Sequence, residues 1–195
     1  MTITLTKDMG AADLDNVSKM TIGAAWDTST GGSGRLLGAI KKRIGTDLDV
    51  VAVAMQGPDP VRMCGLDNLD PFGNGSMVHS GDNHTGHGEG DDETIDVVFA
   101  NVPPNVTGIV FIVAAFKRGS AFGNAQNVSF NVYDSSDGVP GKVADIWPSL
   151  MSRGNACAVA KAERAGNSWT LEVVNKMGTV TQGDQFSLMR FAISQ

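Results

Sequence analysis

The chain has 195 residues, of which 42% are hydrophobic and 18% charged, with a formal net charge of -6. That length can bury the core of one domain or two small ones, and the acidic balance argues against a nucleic-acid partner. The amino end carries no apolar run of leader length, and no stretch reaches the roughly 20 apolar residues of a membrane span, so a cytoplasmic protein is expected. Cys64 and Cys157 form no CxxC pair and read as reduced core thiols.

Thr2 to Thr6 alternates polar and apolar like an edge strand. Residues 7 to 18 read as loop, and Lys19 to Ala25 as a strand ending at Trp26-Asp27. Thr28 to Gly34 is flexible by composition. Arg35 to Ile44 is basic and reads as a solvated insertion or a short helix. Asp47-Leu48-Asp49 leads into an apolar strand, Val50 to Met55. In an extended chain alternate side chains share a side, so Asp47 and Asp49 present two carboxylates at a strand mouth while Leu48 turns to the core.

Residues 56 to 76 are dense in Gly, Pro, Asn and Asp and suggest a hairpin-like connection with a short strand near Val61 to Cys64. Met77-Val78 enters an acidic loop, and Thr94 to Phe99 resumes strand. Gly108 to Phe116 is apolar on both faces, as in a central strand covered on both sides. Lys117 to Ala125 reads as a glycine-rich loop, Asn127 to Tyr133 as a strand, and Ser135-Ser136-Asp137-Gly138 as a hairpin turn. A strand follows at Lys142 to Ile146, then a loop with one helical turn. Ala156 to Ala165, Trp169 to Val174 and Gln185 to Ile193 read as three closing strands, although the alanines of 155 to 162 also suit a helix. About ten short strands at this spacing predict an all-β, two-sheet sandwich with few short helices. No linker or repeat divides the chain, so one domain over 1-195 is expected.

The stretch from His79 to Glu93 dominates the charge pattern. It holds five carboxylates, four glycines and all three histidines, and no cationic side chain occurs between Arg62 and Lys117. Two carboxylates about 5 Å apart repel by roughly 3 kcal/mol at an effective dielectric near 20. Such a segment must spread in water, neutralise carboxylates or bind a cation. Alternating Gly86, Gly88 and Gly90 allow tight turns that bring carbonyls inward. Carboxylates with Asn83, Thr85 and carbonyls form a hard-oxygen set suited to calcium, and the loop is not an EF-hand. If strand ends meet at one rim, Asp27, Asp47, Asp49, Asp82, Asn83, Asp91, Asp92 and Glu93 could share one or two cations. An acidic solvated loop is the competing reading.

His79, His84 and His87 suggest transition-metal chemistry, but no HExxH pattern or helix carries them, and surface or supporting roles are the simpler expectation. No nucleophile elbow or P-loop occurs, and the expectation is a non-enzyme.

The run Gly75-Ser-Met-Val-His-Ser-Gly-Asp-Asn-His-Thr-Gly-His-Gly-Glu-Gly-Asp-Asp-Glu93 resembles the TerD family, bacterial proteins of tellurite resistance and general stress response. Gly23-Ala-Ala-Trp26-Asp27, Asp47-Leu-Asp49, Ile109 to Ala114, Ser120-Ala-Phe122-Gly123 and Trp169 extend the resemblance over roughly residues 1 to 175. It implies a calcium-binding β-sandwich, holding two Ca2+ ions in an acidic rim, with no established enzymatic step. Carried onto this chain, the ligands are Asp27, Asp47, Asp49, Asp82, Asn83, Gly86, Gly88, Asp91, Asp92 and Glu93, the glycines acting through carbonyls. The chain departs from the family pattern at His84 and His87, in the insertion at 28-45 and in the divergent strand region 176-195. Two further readings follow: an interaction module stapled by calcium with protein partners, and a transition-metal-dependent enzyme.

Overall fold

The computed structural model describes residues 10–28, 47–83, 90–118, 120, 122, 125–146 and 154–195. The expected strand at Thr2 to Thr6, the 29–46 part of the insertion and the loop from 147 to 153 lie outside the described residues. The described strands are β1 (Ala12–Asp13), β2 (Lys19–Thr28), β3 (Asp49–Gln56), β4 (Asp59–Cys64), β5 (Met77–His79), β6 (Glu93–Val98), β7 (Gly108–Ala114), β8 (Ala125–Asp134), β9 (Gly141–Ile146), β10 (Ala156–Ala165) and β11 (Ser168–Gly178). A helix, α1 (Gln185–Ile193), ends the chain.

Two antiparallel sheets form a sandwich. The first has the order β1-β11-β10-β7-β3-β4 and the second β5-β6-β2-β8-β9. The period of two in each strand explains the layers. Val50, Ala52 and Ala54 of β3 and Ile109, Phe111 and Val113 of β7 turn inward, meeting Met20, Ile22, Ile95, Phe130 and Val132 of the second sheet. The alternate residues Val51, Val53, Met55, Val110 and Ile112 turn outward and are still buried, because α1 lays Leu188 and Ala192 over them. β7 is therefore buried on both faces, as its sequence indicates.

The expected strand at Gln185 to Ile193 is a helix, and β11 runs on to Gly178. Phe186 and Leu188 suggest a period of two, but Phe186 is exposed, while Leu188 and Ala192, four apart, form the buried stripe. Asp184 caps the helix, its side chain accepting from Phe186 N at 3.0 Å. The outward valines of β3 and β7 supply the surface it covers. β10 resolves the other ambiguity in favour of strand. Its alanines lie between β7 and β11, where ladder bonding on both sides outweighs their helix propensity.

The two mouths of the sandwich differ. At one, Arg164 donates to the carbonyls of Val106, Val102 and Pro103 at 2.9 to 3.2 Å and stacks on Trp169. At the other lie the start of β3, the end of β5 and the start of β6, which bring the acidic segments together.

Candidate metal centre at the acidic rim

β4 ends opposite Ala52, so among the described residues the β3 edge at Val50 has no strand partner on that side. Two side chains of the second sheet take its place. Glu93 Oε2 accepts from Val50 N at 3.0 Å, and His79 Nε2 lies 3.1 Å from Val50 O. Glu93 Oε1 accepts from Asn83 N at 3.1 Å, and His79 Nδ1 accepts from Gly81 N at 2.9 Å. Because Nδ1 accepts, Nε2 carries the hydrogen and donates to Val50 O. Both side chains are buried; they tie the two sheets and the start of the acidic loop into one unit.

Asp92 performs a similar task beside them. Its amide donates to Ala24 O at 2.7 Å, prolonging the β2–β6 pairing by one bond. Its carboxylate accepts from Trp26 N at 2.9 Å and from Asn83 Nδ2 at 3.0 Å. Asn83 is thus gripped by two acidic residues, and Asp82 next to it is left on the exposed side.

Asp47 and Asp49 reach the rim from the first sheet. Leu48 between them is wholly buried in the inner core, and the two carboxylates share the opposite side, as expected of an extended chain. Asp47 Oδ2 accepts from Lys117 Nζ at 3.0 Å. That hydrogen bond, with the charges of Asp47, Asp82 and Asp49, raises the Lys117 pKa against a smaller opposing effect of burial. Asp49 is only 5% exposed. Its Oδ2 accepts from Phe116 N at 3.3 Å. Burial, then the charges of Glu93, Asp47 and Asp82, push its carboxyl up to about 7, against the Phe116 amide, which favours the anion. Asp47, Asp49 and Asp82 line one cavity.

A family model described as TerD domain matches residues 1–184. The chain belongs to the TerD family. It is 31% identical over 171 residues to stress response protein SCP2 of Bacillus subtilis, covering 82% of this chain and 83% of that protein. Tellurium resistance protein TerZ of Serratia marcescens is 33% identical over 139 residues, covering 69% of this chain and 66% of the relative. A solved homologue of telluride resistance protein (TerD) from Streptomyces coelicolor A3(2) shares the fold, with a TM-score of 0.67 at 18% identity over 88% of this chain and 96% of that one.

In this TerD-family chain the structure brings Asp47, Asp49, Asp82, Asn83, Asp92 and Glu93 to one rim. Asp91 goes elsewhere. Its carboxylate crosses to the outer face of the second sheet, where it accepts from Asn131 Nδ2 and lies against Gly23. A Cβ on Gly23 would overlap that carboxylate, so glycine at this β2 position makes room for it. Tyr133 hydrogen-bonds Asp91 as well, and its phenol is raised by burial first and by Asp91 second. Asp27 is placed by its backbone in β2, opposite Gln126. Its side chain lies outside the described residues, as do Gly86, Gly88, His84 and His87. Among the described residues, no three His, Cys, Asp or Glu side chains converge as a metal-ligand group.

Sequence reasoning missed the part played by His79, which β5 extends far enough to bury, by Lys117 and by the Phe116 amide. The inward alternation of Met77 and His79 was the available signal. Both cysteines are buried and neither is in a disulfide. Burial pushes the Cys64 thiol up to about 12, aided by the charge of Asp70.

Proposed function

We propose that this TerD-family protein is a cytoplasmic, non-enzymatic stress-response module that binds calcium, two ions in all, at the acidic rim. Asp47, Asp49, Asp82, Asn83 and the Asp27 side chain would supply ligand oxygens, with Gly86 and Gly88 through their carbonyls. Asp92 and Glu93 retain lone pairs beyond the amides they accept and would hold the frame or ligate from within. Bound calcium would supply the positive charge that offsets carboxylates crowded out of water.

The observation that carries this reading is Asp49. It is a buried carboxylate with no ion-pair partner among the described residues, facing Glu93, Asp47 and Asp82. Burying an acid among acids is costly unless a cation offsets it. The donor set is all oxygen, which suits calcium over softer metals. No helix among the described residues is long and apolar enough to cross a membrane.

Thermal unfolding in calcium and in chelator tests the reading. Calcium should raise the melting temperature by several degrees, and Asp49→Asn should abolish most of that gain while Asp91→Asn leaves it. Identical melting in the two buffers, with no metal in the purified protein, would overturn it. A titration separates a sensor, half-saturated near micromolar calcium, from an interaction module whose ions act as permanent staples. The transition-metal reading is weakened at His79, whose ring nitrogens are both engaged; elemental analysis finding calcium alone would reject it.

A further inference from the structure

A cavity of about 700 Å³, the size of a small-molecule site, opens between β3, β4 and α1. Val51, Met63, Phe116, Leu188 and Met189 line it and belong to the apolar layer on the outer face of the first sheet. Four carboxylates line it as well, Asp47, Asp49, Asp67 and Asp82. They differ in depth. Asp67 and Asp82 stand at exposed positions, whereas Asp47 is 4% and Asp49 5% exposed. An apolar wall that ends on recessed acids repels anions, and a neutral apolar guest would leave those acids without a counter-charge. The combination suits a cation with an apolar body.

The protein's own cations leave the deep end unanswered. Lys117 Nζ lies 3.0 Å from Asp47 Oδ2, with more than half of its side chain in solvent. Arg62 is exposed on β4 opposite Ala54, whose side chain turns to the inner core, so it leaves the strand on the side away from the apolar layer. Arg118 is exposed. Among the described residues no cation pairs with Asp49, whose side chain accepts a single hydrogen bond, from Phe116 N at 3.3 Å on Oδ2. A carboxylate this buried, lining a cavity with one long hydrogen bond and no counter-charge, is a group that calls for a ligand. An ammonium fits it. It is a compact charge with three donors, and it needs one or two carboxylate oxygens where a metal needs a convergent shell. Lys117 on Asp47 shows the mode one residue pair away.

We propose that this cavity binds a small primary amine, its ammonium on Asp49 beside the Lys117–Asp47 pair and its apolar body on the Val51–Met63–Leu188 layer. The inference goes beyond the calcium reading and shares Asp49 with it. Where calcium is bound the two ligands oppose each other, each weakening the other by the same factor.

The test titrates hexylamine, hexanol and hexanoate, matched in apolar length, into the full chain in chelator. At about pH 8.5 Asp49 is ionised and the ammonium keeps its proton. Binding is followed by calorimetry and by the methyl resonances of labelled Met63 and Met189. Hexylamine should bind about tenfold or more tightly than hexanol or hexanoate and shift both methyls. Asp49→Asn should reduce hexylamine to the level of hexanol, while Glu172→Gln, an equal change of charge at an exposed position of β11, leaves it unchanged. Hexanol binding as tightly as hexylamine, tighter binding of hexanoate, or full hexylamine affinity in folded Asp49→Asn would overturn the inference. Should Asp49→Asn not fold, the three probes on the parent protein decide. No calcium enters these titrations; the melting temperature in calcium without any amine judges the calcium reading alone. In protein that holds calcium, added calcium should release hexylamine, and undiminished binding would overturn the assignment to Asp49.

Discussion

Replacing Glu93 with glutamine probes the centre of the rim with almost no change of shape. The carboxylate accepts from two backbone amides, Val50 N at 3.0 Å and Asn83 N at 3.1 Å, one on each oxygen. An amide side chain has one acceptor oxygen, so in either orientation one of those N–H groups faces another donor. A buried donor left without an acceptor costs about 1–3 kcal/mol. The same change removes a charge that disfavours ionised Asp49, which returns part of the loss whenever Asp49 is charged. Asp49 titrates near 7 in the folded state, so the two effects separate with pH. In chelator, Glu93→Gln should lower the unfolding free energy by about 2 kcal/mol near pH 5.5, and by less near pH 8.5. Urea denaturation at the two pH values, on the variant and the parent, measures both losses. No loss at the lower pH would refute the bridging role of Glu93. A loss that grew with pH would refute the repulsion between Glu93 and Asp49.

The Asp49 carboxyl makes a prediction of its own. Its folded-state pKa of about 7 lies above the ordinary 3.8, so the folded protein holds the proton more tightly than the unfolded chain. In chelator this group should therefore lower stability as pH rises from about 4 to about 7, by up to about 4 kcal/mol, with no further change above. Asp49→Asn should remove that slope, and an unaltered slope in urea titrations across the range would count against it. Gly23→Ala should displace the Asp91 carboxylate from Asn131 and Tyr133 and cost about 1–3 kcal/mol, while the calcium-induced rise in melting temperature survives. Loss of that rise would return Asp91 to the metal site. Leu188→Ala should cost about 2–5 kcal/mol and accelerate amide exchange in α1; unchanged exchange would mean that the helix is not held by its contact with β3 and β7.

The sandwich was legible because β3 and β7 are apolar on both faces and the turns between strands carry glycine, proline and asparagine. The partner on the outer face was not, because a nine-residue segment with Phe186 and Leu188 two apart fits both periods. Asp184 was the sign that could have decided it, since a helix cap is a local chemical requirement and a hydrophobic period this short is not. At the rim, Asp47 and Asp49 were legible from the period of two around Leu48. Asp91 could not be read from the sequence in the same way. It lies between Gly90 and Asp92 in a run of acids, and only the Cβ-free surface at Gly23, some seventy residues earlier in the chain, shows where its carboxylate goes. His79 was obscured for a related reason, because the carbonyl that its Nε2 meets belongs to Val50 of β3, in a distant part of the chain.

The side chains standing beside Val50 have a consequence for colloidal behaviour. An uncovered β3 margin at that point would display a free N–H and C=O next to the run Val50-Val-Ala-Val-Ala-Met55, a template onto which another molecule's strand could add. Glu93 and His79 occupy both groups, and a charged carboxylate there is a poor host for an incoming peptide. Conditions that dislodge the two residues would then favour fibrous or amorphous self-association before the inner core opens, with turbidity appearing ahead of the loss of Trp169 packing.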